Sequence, residues 1–208
     1  MTGATTGSSE YVEEREVKLA VPDEFVLPSL SGLDSLTAVD EGEERLRSVY
    51  WDTDDLALAR AGVGVRHRNG IWTFKGRSRR DGDAVVREEL EVAAPSESIP
   101  PVLRSRLGSL LDPSTLHAVA TLDNVRHRLD VTDGAERVEL VHDRVSVLDH
   151  TRVVARFTEV EVEFSPEAQI IADRLVHLLL AAGAVVDTTP KYARALRALG
   201  HEPPATTL

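Results

Sequence analysis

The sequence has no cysteine, few aromatic residues and fewer basic than acidic side chains. Without cysteine there is no disulfide framework, no thiolate zinc site and no cysteine nucleophile. Aromatic residues make up only 4% of the chain, which argues against a stacking platform for single-stranded nucleic acid. The 24 Lys and Arg residues face 35 Asp and Glu residues, a net charge of −11, whereas nucleic-acid binders usually show the opposite balance. A phosphate-bearing ligand would therefore need a local basic patch or a metal ion.

Long apolar runs are missing as well. The first nine residues are small and polar and lack the apolar core of a signal peptide. The longest apolar run, around 175–182, is far shorter than the ~20 residues that span a bilayer. With 42% hydrophobic and 28% charged residues over 208 positions, the chain is expected to fold. We predict a cytoplasmic protein without membrane contact, with a folded domain over 10–200 and flexible ends over 1–9 and 201–208.

Alternation of apolar and polar residues dominates the first 164 positions, which predicts β-strands. Asn69-Gly70, between two alternating segments, is a strong signal of a β-hairpin. The apolar spacing then becomes helical, with Ser165-Pro166 as a helix start and Gly183 as its end. We therefore predict an antiparallel β domain with helices at its turns and its C-terminus. The predicted strands cover 12–20, 44–52, 63–69, 71–77, 84–93, 116–131, 136–148 and 152–164, and the predicted helices cover 53–61, 99–108, 166–183 and 191–199.

The polar faces of the predicted strands are almost purely ionic. Glu159, Glu161 and Glu163 share one strand face, where like charges ~7 Å apart repel each other. Arg66 and Arg68 share another face. A charge run is usually a solvated face, so the outside of a β-sandwich is one interpretation. If the sheet instead closes with these faces inward, its lumen holds carboxylates suited to Mg²⁺ or Mn²⁺ beside cations suited to phosphate oxygens, which matches a metal-bound polyphosphate.

An ordered series of short motifs resembles the CYTH domains, the family of triphosphate tunnel metalloenzymes. It begins with Glu14-Arg15-Glu16-Val17-Lys18, which is similar to the ExExK signature of that family, with Arg15 at a spacer position that is usually apolar. The resemblance runs from about residue 10 to 199, and its C-terminal part is similar to CYTH domains that precede a CHAD domain. The later motifs are Tyr50-Trp51-Asp52-Thr53, Arg66-His67-Arg68, Trp72-Thr73-Phe74-Lys75-Gly76, Arg87-Glu88-Glu89-Leu90-Glu91, Arg126-His127-Arg128, Asp143, Glu159-Val160-Glu161 and Lys191-Tyr192.

The resemblance implies an α+β fold, a closed eight-stranded antiparallel β-barrel with flanking helices, whose charged lumen binds a triphosphate with Mg²⁺ or Mn²⁺. It also implies the roles of individual residues. The catalytic residues would be Glu14, Glu16 and Lys18, and the metal ligands would be Glu14, Glu16, Asp143, Glu159 and Glu161. The substrate would be bound by Arg66, Arg68, Lys75, Arg87, Arg126, Arg128 and Lys191, the last from the C-terminal helix. Glu89 and Glu91 would also line the tunnel, and Glu163 would lie near its rim.

The favoured activity is hydrolysis of inorganic triphosphate, because nothing beyond the charged positions offers a pocket for a base. Thiamine triphosphatase and class IV adenylyl cyclase activities stay open. A thiamine enzyme would need an aromatic residue at the tunnel mouth, for which Tyr50, Trp51 and Trp72 are the candidates. Outside enzymes, the alternative is a non-catalytic module that binds polyphosphate or nucleotides. The expected partner is a small triphosphate or polyphosphate rather than nucleic acid or a membrane, and a homodimer is left open.

Overall fold

The computed structural model describes residues 9–30, 33, 35–96, 98–110 and 112–202. Within these residues the chain forms ten β-strands and four α-helices. The strands are β1 (Ser9–Val21), β2 (Thr37–Asp52), β3 (Gly64–Arg68), β4 (Ile71–Lys75), β5 (Arg79–Asp81), β6 (Ala84–Ala93), β7 (His117–Thr132), β8 (Arg137–Asp149), β9 (Arg152–Phe164) and β10 (Val185–Val186). The helices are α1 (Ala57–Arg60), α2 (Pro101–Leu107), α3 (Gln169–Ala181) and α4 (Lys191–Ala198).

Eight of the strands close into a barrel in which neighbouring strands are antiparallel. Their order around the barrel is β1-β9-β8-β7-β2-β3-β4-β6, and β6 pairs back to β1. This closing pair extends from Ser9 opposite Val92 to Glu16 opposite Val85. The short strands β5 and β10 pair with β6 and β1 at the flanks. The predicted α+β class and closed eight-stranded antiparallel barrel are confirmed.

The hairpin between β3 and β4 forms where the sequence predicts it. Asn69 has φ 51° and Gly70 has φ 77°, so both turn residues are in the left-handed region. A two-residue turn with positive φ at both positions matches the right-handed twist of the flanking strands, and asparagine and glycine are the residues that tolerate it best. This turn fixes the register that places Arg66 opposite Thr73.

Two elements differ most from the predicted boundaries, and the short strands β5 and β10 were not predicted. Strand β2 begins at Thr37 rather than at 44. Its first half, through Arg45, is exposed on both faces, so no apolar alternation marks it as a strand. The helix predicted over 53–61 is a single turn, Ala57–Arg60. Of the predicted flexible ends, residues 1–8 and 203–208 lie outside the described residues.

Helices α2 and α3 cover separate parts of the outer face of the barrel. Alternation within each strand sends its apolar side chains outward, beneath these helices, and its charged side chains inward. Among the described residues, no helix is long and apolar enough to cross a membrane. Under α3 lie Val17, Leu19, Leu140, Val160 and Val162, packed against Ile171, Leu175 and Leu179 of the helix. Under α2 lie Val65, Trp72, Phe74, Leu90 and Val92, packed against Leu103 and Leu107 of the helix.

Helix α4 occupies a different position, across one end of the barrel. Its residues Ala195 and Leu196 are buried in a cluster with Leu122 and Val145, which come from the inner faces of β7 and β8. The apolar packing therefore lies at the end of the lumen and not on the outside of the wall. As a result the first residue of α4, Lys191, lines the lumen.

Candidate active site in the barrel lumen

The lumen contains a cavity of about 610 Å³. Most of the predicted site residues line it, because their positions alternate with the apolar residues that face outward. Asp143 and Glu159 do not line it; they are fully buried behind its wall. The predicted residues that line the cavity are Glu14, Glu16, Lys18, Arg66, Arg68, Lys75, Arg87, Glu89, Glu91, Arg126, Arg128, Glu161 and Lys191.

Lysine is used only in the lumen. The whole sequence contains three lysines, Lys18, Lys75 and Lys191, and each lines the cavity. The positive charge on the rest of the chain is therefore carried by arginine and histidine. An ammonium group is a compact point charge suited to phosphate oxygens, whereas guanidinium binds them in a planar fork. The lumen combines both kinds of cation.

The three carboxylates of Asp143, Glu159 and Glu161 form one cluster, called here the second carboxylate cluster. Their oxygens lie within 4.8 Å of one another. The Lys191 Nζ atom is 2.9 Å from Asp143 Oδ2, 2.5 Å from Glu159 Oε1 and 2.8 Å from Glu161 Oε1. The Lys18 Nζ atom lies 2.7 Å from Glu161 Oε1 and 3.4 Å from Glu159 Oε1. Two ammonium groups thus occupy the space between three buried carboxylates.

A third cation completes this arrangement. Arg126 donates Nε to Asp143 Oδ1 at 2.9 Å and Nη2 to Asp143 Oδ2 at 2.7 Å, and its Nη2 also reaches Glu161 Oε2 at 3.1 Å. Burial alone would raise the pKa of Asp143, but Lys191 and Arg126 outweigh it and hold the pKa at about 2. Burial is also outweighed at Glu161, where Lys18, Lys191 and Arg126 hold the pKa well below its usual range. Asp143 and Glu161 are therefore held in the ionised form, and cations of the protein itself contact all three carboxylates of the cluster.

The carboxylates of Glu14, Glu16 and Glu163 form another group, called here the first carboxylate cluster, again with oxygens within 4.8 Å of one another. Its ammonium neighbours are farther away than Lys191 is from the second cluster: Lys75 Nζ lies 3.6 Å from Glu14 Oε1, and Lys18 Nζ lies 3.7 Å from Glu16 Oε1. Arg87 pairs with Glu14 and lies 3.4 Å from Glu16 Oε1, and the same guanidinium donates Nε to Glu89 at 2.9 Å. Within the described residues Glu163 has no ion pair. The buried Glu16 Oε1 atom accepts no hydrogen bond from these residues.

In the first carboxylate cluster, the surroundings of Glu16 and Glu163 favour their protonated forms. Burial, followed by the negative charges of Glu161, Glu14 and Glu16, raises the pKa of Glu163 to about 8. Burial also raises the pKa of Glu16, against the opposing effect of Lys18. Carboxylates whose charge is poorly compensated are suited to a divalent cation, which would supply the missing positive charge. The two clusters thus differ in what they can bind.

The remaining cations fall into a paired and an unpaired group. Lys75 pairs with Glu89 and lies 3.6 Å from Glu14 Oε1. Arg66 donates Nη2 to the Thr73 hydroxyl at 3.1 Å, and that hydroxyl donates to Glu91 Oε1 at 3.1 Å. These carboxylates hold the basic side chains in the lumen when no anion is there.

Arg68 and Arg128 form the unpaired group. Both line the cavity, and neither makes an ion pair with any residue that the structure describes. Burial, together with the positive charges of Arg66 and Arg126, lowers the pKa of Arg68 to about 10. A buried guanidinium next to like charges costs free energy that a bound anion would recover. This part of the lumen is therefore the strongest anion site in the described residues.

Some lining residues were not predicted as site residues. Glu163 was expected near the rim, whereas the structure places it beside Glu14 and Glu16. Its spacing of two from Glu161 on β9 was the signal, since residues two apart in a strand share a face. Glu139 also lines the cavity, opposite Glu163 on β8, and would have been found from its spacing relative to Asp143.

The aromatic candidates for a tunnel mouth are all engaged elsewhere. Trp72 is completely buried under α2 and donates its indole N–H to the Ser96 carbonyl at 3.0 Å. The Trp51 ring lies against that of Trp72, with 5.3 Å between centroids. Tyr50 does line the cavity, but its ring stacks on the Tyr192 ring at 4.9 Å.

Outside the lumen, the unusual Arg15 pairs with Asp81 of β5 at 2.5 Å, so it packs on the outer face despite its charge.

Comparison with known structures places this barrel in a group of similar folds. A candidate adenylyl cyclase from Hippeastrum, described as having a dominant triphosphatase activity, matches with a TM-score of 0.59 and 18% identity, over 92% of this chain and 98% of that one. A candidate adenylate cyclase from Bacillus halodurans matches with a TM-score of 0.58 and 21% identity, over 88% of this chain and 97% of that one. At these identities the likeness establishes the fold. No curated protein sequence matches the chain.

The sequence itself also matches a family model. The matched segment covers residues 13–180, which includes every barrel strand and ends before α4 and Lys191. It contains both carboxylate clusters and the paired and unpaired arginines of the lumen. Because the match covers most of the chain, this protein belongs to the CYTH domain family.

Proposed function

We propose that this chain is a metal-dependent triphosphatase and that its substrate is inorganic triphosphate. The observation that carries the proposal is the lining of the lumen, where half-buried arginines without an ion pair in the described residues line the same cavity as an under-neutralised carboxylate cluster. An anion would neutralise Arg68 and Arg128. A cation would neutralise the first carboxylate cluster of Glu14, Glu16 and Glu163. A triphosphate bound together with a divalent metal ion supplies both in one ligand.

The charge balance of the lumen supports a ligand that brings its own metal ion. Ten cationic and seven carboxylate side chains line the cavity, an excess of positive charge smaller than the charge of a fully ionised triphosphate, so a bare triphosphate would leave an excess of negative charge in a buried space. A metal complex of triphosphate has a much smaller net charge. When such a complex binds, the metal ion could replace some of the lysine and arginine side chains that contact the carboxylates. Those side chains could then contact the phosphate oxygens.

The residues of the first carboxylate cluster fit such a metal ion. They offer only oxygen ligands, which Mg²⁺ and Mn²⁺ prefer, and at least one buried oxygen, Glu16 Oε1, lacks a hydrogen-bond donor in the described structure. A divalent cation bound there would neutralise phosphate oxygens and favour an activated water. The second carboxylate cluster fits less well, because Lys18, Lys191 and Arg126 already fill it.

The roles of the protein groups follow from where they lie. Arg66, Arg68 and Arg128 would bind the phosphates and orient the chain of phosphoryl groups. Lys191 would contact the terminal phosphate and stabilise the charge that grows as its bond to the leaving diphosphate breaks. A carboxylate of Glu14 or Glu16 would accept a hydrogen bond from the attacking water and align it.

The substrate assignment rests on the aromatic residues of the lumen. Among the described residues that line the cavity, only Tyr50 and Tyr192 are aromatic, and they are buried against each other. A nucleobase or a thiazolium ring would gain most from an open aromatic face. Inorganic triphosphate needs none, which favours it over thiamine triphosphate and ATP.

Phosphate release from four substrates tests the proposal: inorganic triphosphate, thiamine triphosphate, ATP and long-chain polyphosphate, each with Mg²⁺, Mn²⁺ or excess chelator. We expect inorganic triphosphate to be turned over fastest and the chelator to abolish turnover. Preference for another substrate would overturn the substrate assignment, and activity in excess chelator would overturn the metal requirement. Tight binding of triphosphate without turnover in any metal would identify a binding module instead.

A further inference from the structure

Asp52, at the end of β2, is a completely buried carboxylate outside the lumen machinery. Its Oδ1 atom accepts backbone N–H groups of Thr53 and Leu58, both at 2.8 Å, and its Oδ2 atom accepts that of Ala59 at 2.9 Å. These bonds hold the short helix α1 against the end of β2. A buried carboxylate is stable only when hydrogen bonds replace its lost hydration, and these three amides supply most of them.

The remaining donor to Asp52 comes from the other end of the sequence. The Tyr192 hydroxyl donates to Asp52 Oδ2 at 2.7 Å, across 140 positions of sequence. The Tyr192 ring also stacks on Tyr50, two residues before Asp52, with an interplanar angle of 10°. One side chain of α4 is therefore held at both its ring and its hydroxyl by β2.

Lys191 is the residue next to Tyr192, at the start of α4, whereas the buried residues Ala195 and Leu196 anchor the helix one turn farther along. It is the first residue of the helix, the preceding Pro190 makes no side-chain cap, and a lysine there is opposed by the helix dipole. Yet its ammonium lies within 3 Å of three carboxylates on two different strands. Such contacts depend on the backbone of α4 being placed accurately with respect to β8 and β9.

We propose that Asp52 and Tyr192 are positioning residues that set the location of the Lys191 ammonium in the lumen. The inference rests on the proposed function only for its effect on turnover, since the location of the ammonium is measurable without any substrate. The hydrogen bond joins β2, which carries the lumen residues Ser48 and Tyr50, to the helix that carries the lysine. Loss of the bond leaves the ring stacked but frees α4 to shift.

The three lysines of the chain make the direct test simple. Protein labelled with ¹⁵N at lysine Nζ gives one ammonium signal each for Lys18, Lys75 and Lys191, and K191M assigns the third. In Tyr192→Phe, the Lys191 signal is expected to move toward the position of free lysine and to broaden through exchange with water, while the Lys75 signal stays in place. The matched control is Thr53→Ala, which removes the Thr53 Oγ1 bond to the Ala57 N–H at the start of α1 and leaves Tyr192 untouched.

An unchanged Lys191 signal in Y192F, or an equal shift in T53A, would overturn the proposal. If Y192F does not give a folded protein by circular dichroism, Asp52→Asn is measured in its place and judged by the same two outcomes.

Turnover of triphosphate adds a second readout. Y192F should lower kcat about tenfold, as expected when a charged group is misplaced by a fraction of an ångström, and T53A should not. In the K191M background, Y192F should cause no further loss, because the group that it positions is gone. A full additional loss in that background would contradict positioning. If the wild-type chain hydrolyses no triphosphate, the proposed function fails, and the lysine spectra still decide the positioning.

Discussion

The two carboxylate clusters of the lumen contain the same chemical groups in opposite surroundings. In the second cluster, Asp143, Glu159 and Glu161 are matched by Lys18, Arg126 and Lys191. In the first, Glu14 and Glu16 share the Arg87 guanidinium with Glu89, the ammonium groups of Lys75 and Lys18 stay 3.6 Å and 3.7 Å away, and Glu163 has no ion pair among the described residues. The pKa values follow: that of Glu161 is well below its usual range, and that of Glu163 is raised to about 8.

The difference shows that the number of acidic residues does not by itself identify a metal site. What matters is how much positive charge the protein already provides within contact distance. A cluster that is neutralised by its own lysines holds those lysines in place, whereas a cluster that is not neutralised has free affinity for a cation. Four variants test this contrast, beginning with the one that should lower turnover most.

The largest effect is expected for Glu16→Gln. The substitution removes one charged oxygen from the under-neutralised cluster, so both metal affinity and triphosphate turnover should fall, the latter by at least ~100-fold. Calorimetry with Mn²⁺ and a phosphate-release assay measure the two quantities. Glu88→Gln, on the outer face of β6, is the matched control and should change neither. Wild-type Mn²⁺ affinity in E16Q would show that the first cluster is not the metal site.

Lys191→Met is expected to lower stability in addition to turnover. The variant leaves Asp143, Glu159 and Glu161 buried with fewer counter-charges, and breaking a buried ion pair in this way costs ~3–5 kcal/mol. Chemical denaturation measures the free energy of unfolding.

Added Mn²⁺ sharpens the comparison in this variant. It should restore part of the lost stability of K191M and have less effect on Arg197→Met, which removes an exposed charge from the same helix. Failure of K191M to lose stability would mean that the second carboxylate cluster is not held by the lysine.

A smaller effect is expected for Arg68→Met, which removes an unpaired cation. Loss of one charge-assisted contact should raise the KM for triphosphate about tenfold. Stability should be unchanged or higher, because burial and Arg66 already lower the pKa of this guanidinium. Arg126→Met, which breaks the bidentate pair with Asp143, is the contrasting variant and should lose stability. Equal stability losses in the two variants would contradict the distinction between paired and unpaired arginines.

Glu163→Gln is measured as a function of pH without metal. The folded-state pKa of Glu163, about 8, lies above the ordinary value of 4.5, so the folded protein holds this proton more tightly than the unfolded chain. The contribution of Glu163 to stability is therefore complete below pH 4.5 and is lost as the pH rises through 8. Because the amide of glutamine is uncharged at every pH, E163Q should exceed the wild type by ~4–5 kcal/mol at pH 9 and by nothing at pH 4.

Thermal denaturation at the two pH values measures this difference, with Glu24→Gln as an exposed control. An advantage of E163Q that is independent of pH would rule out titration of Glu163 as its cause.

Much of the fold could be predicted because it depends on local rules. Alternation marks β3, β4 and β6, and Asn69-Gly70 marks the turn between the first two. The first half of β2 could not be found in this way, since it is exposed on both faces and has no apolar side to alternate. No local pattern in the sequence predicts that the barrel closes, and this prediction came from the family resemblance.

The site was predictable as a set of residues but not as an arrangement. Strand period places Glu159, Glu161 and Glu163 on one face, which suggested mutual repulsion relieved by a metal or by a cationic neighbour. In the structure, Lys191 from α4 and Lys18 from β1 relieve most of it for two of the three. The pairing of a particular carboxylate with a lysine depends on contacts between elements that are far apart in sequence. The spacing of residues along one strand carries no information about such contacts.

The confinement of lysine to the lumen has a chemical consequence. Apart from the α-amino group, every amine of this protein lies on the cavity wall, so the outer surface offers nothing for an acylating or aldehyde reagent to modify. Reagents that modify surface lysines on most proteins would here either leave the lysine side chains unmodified or enter the barrel to react with them. General amine chemistry thus becomes a site-directed probe of this lumen, and a bound triphosphate would act as its shield.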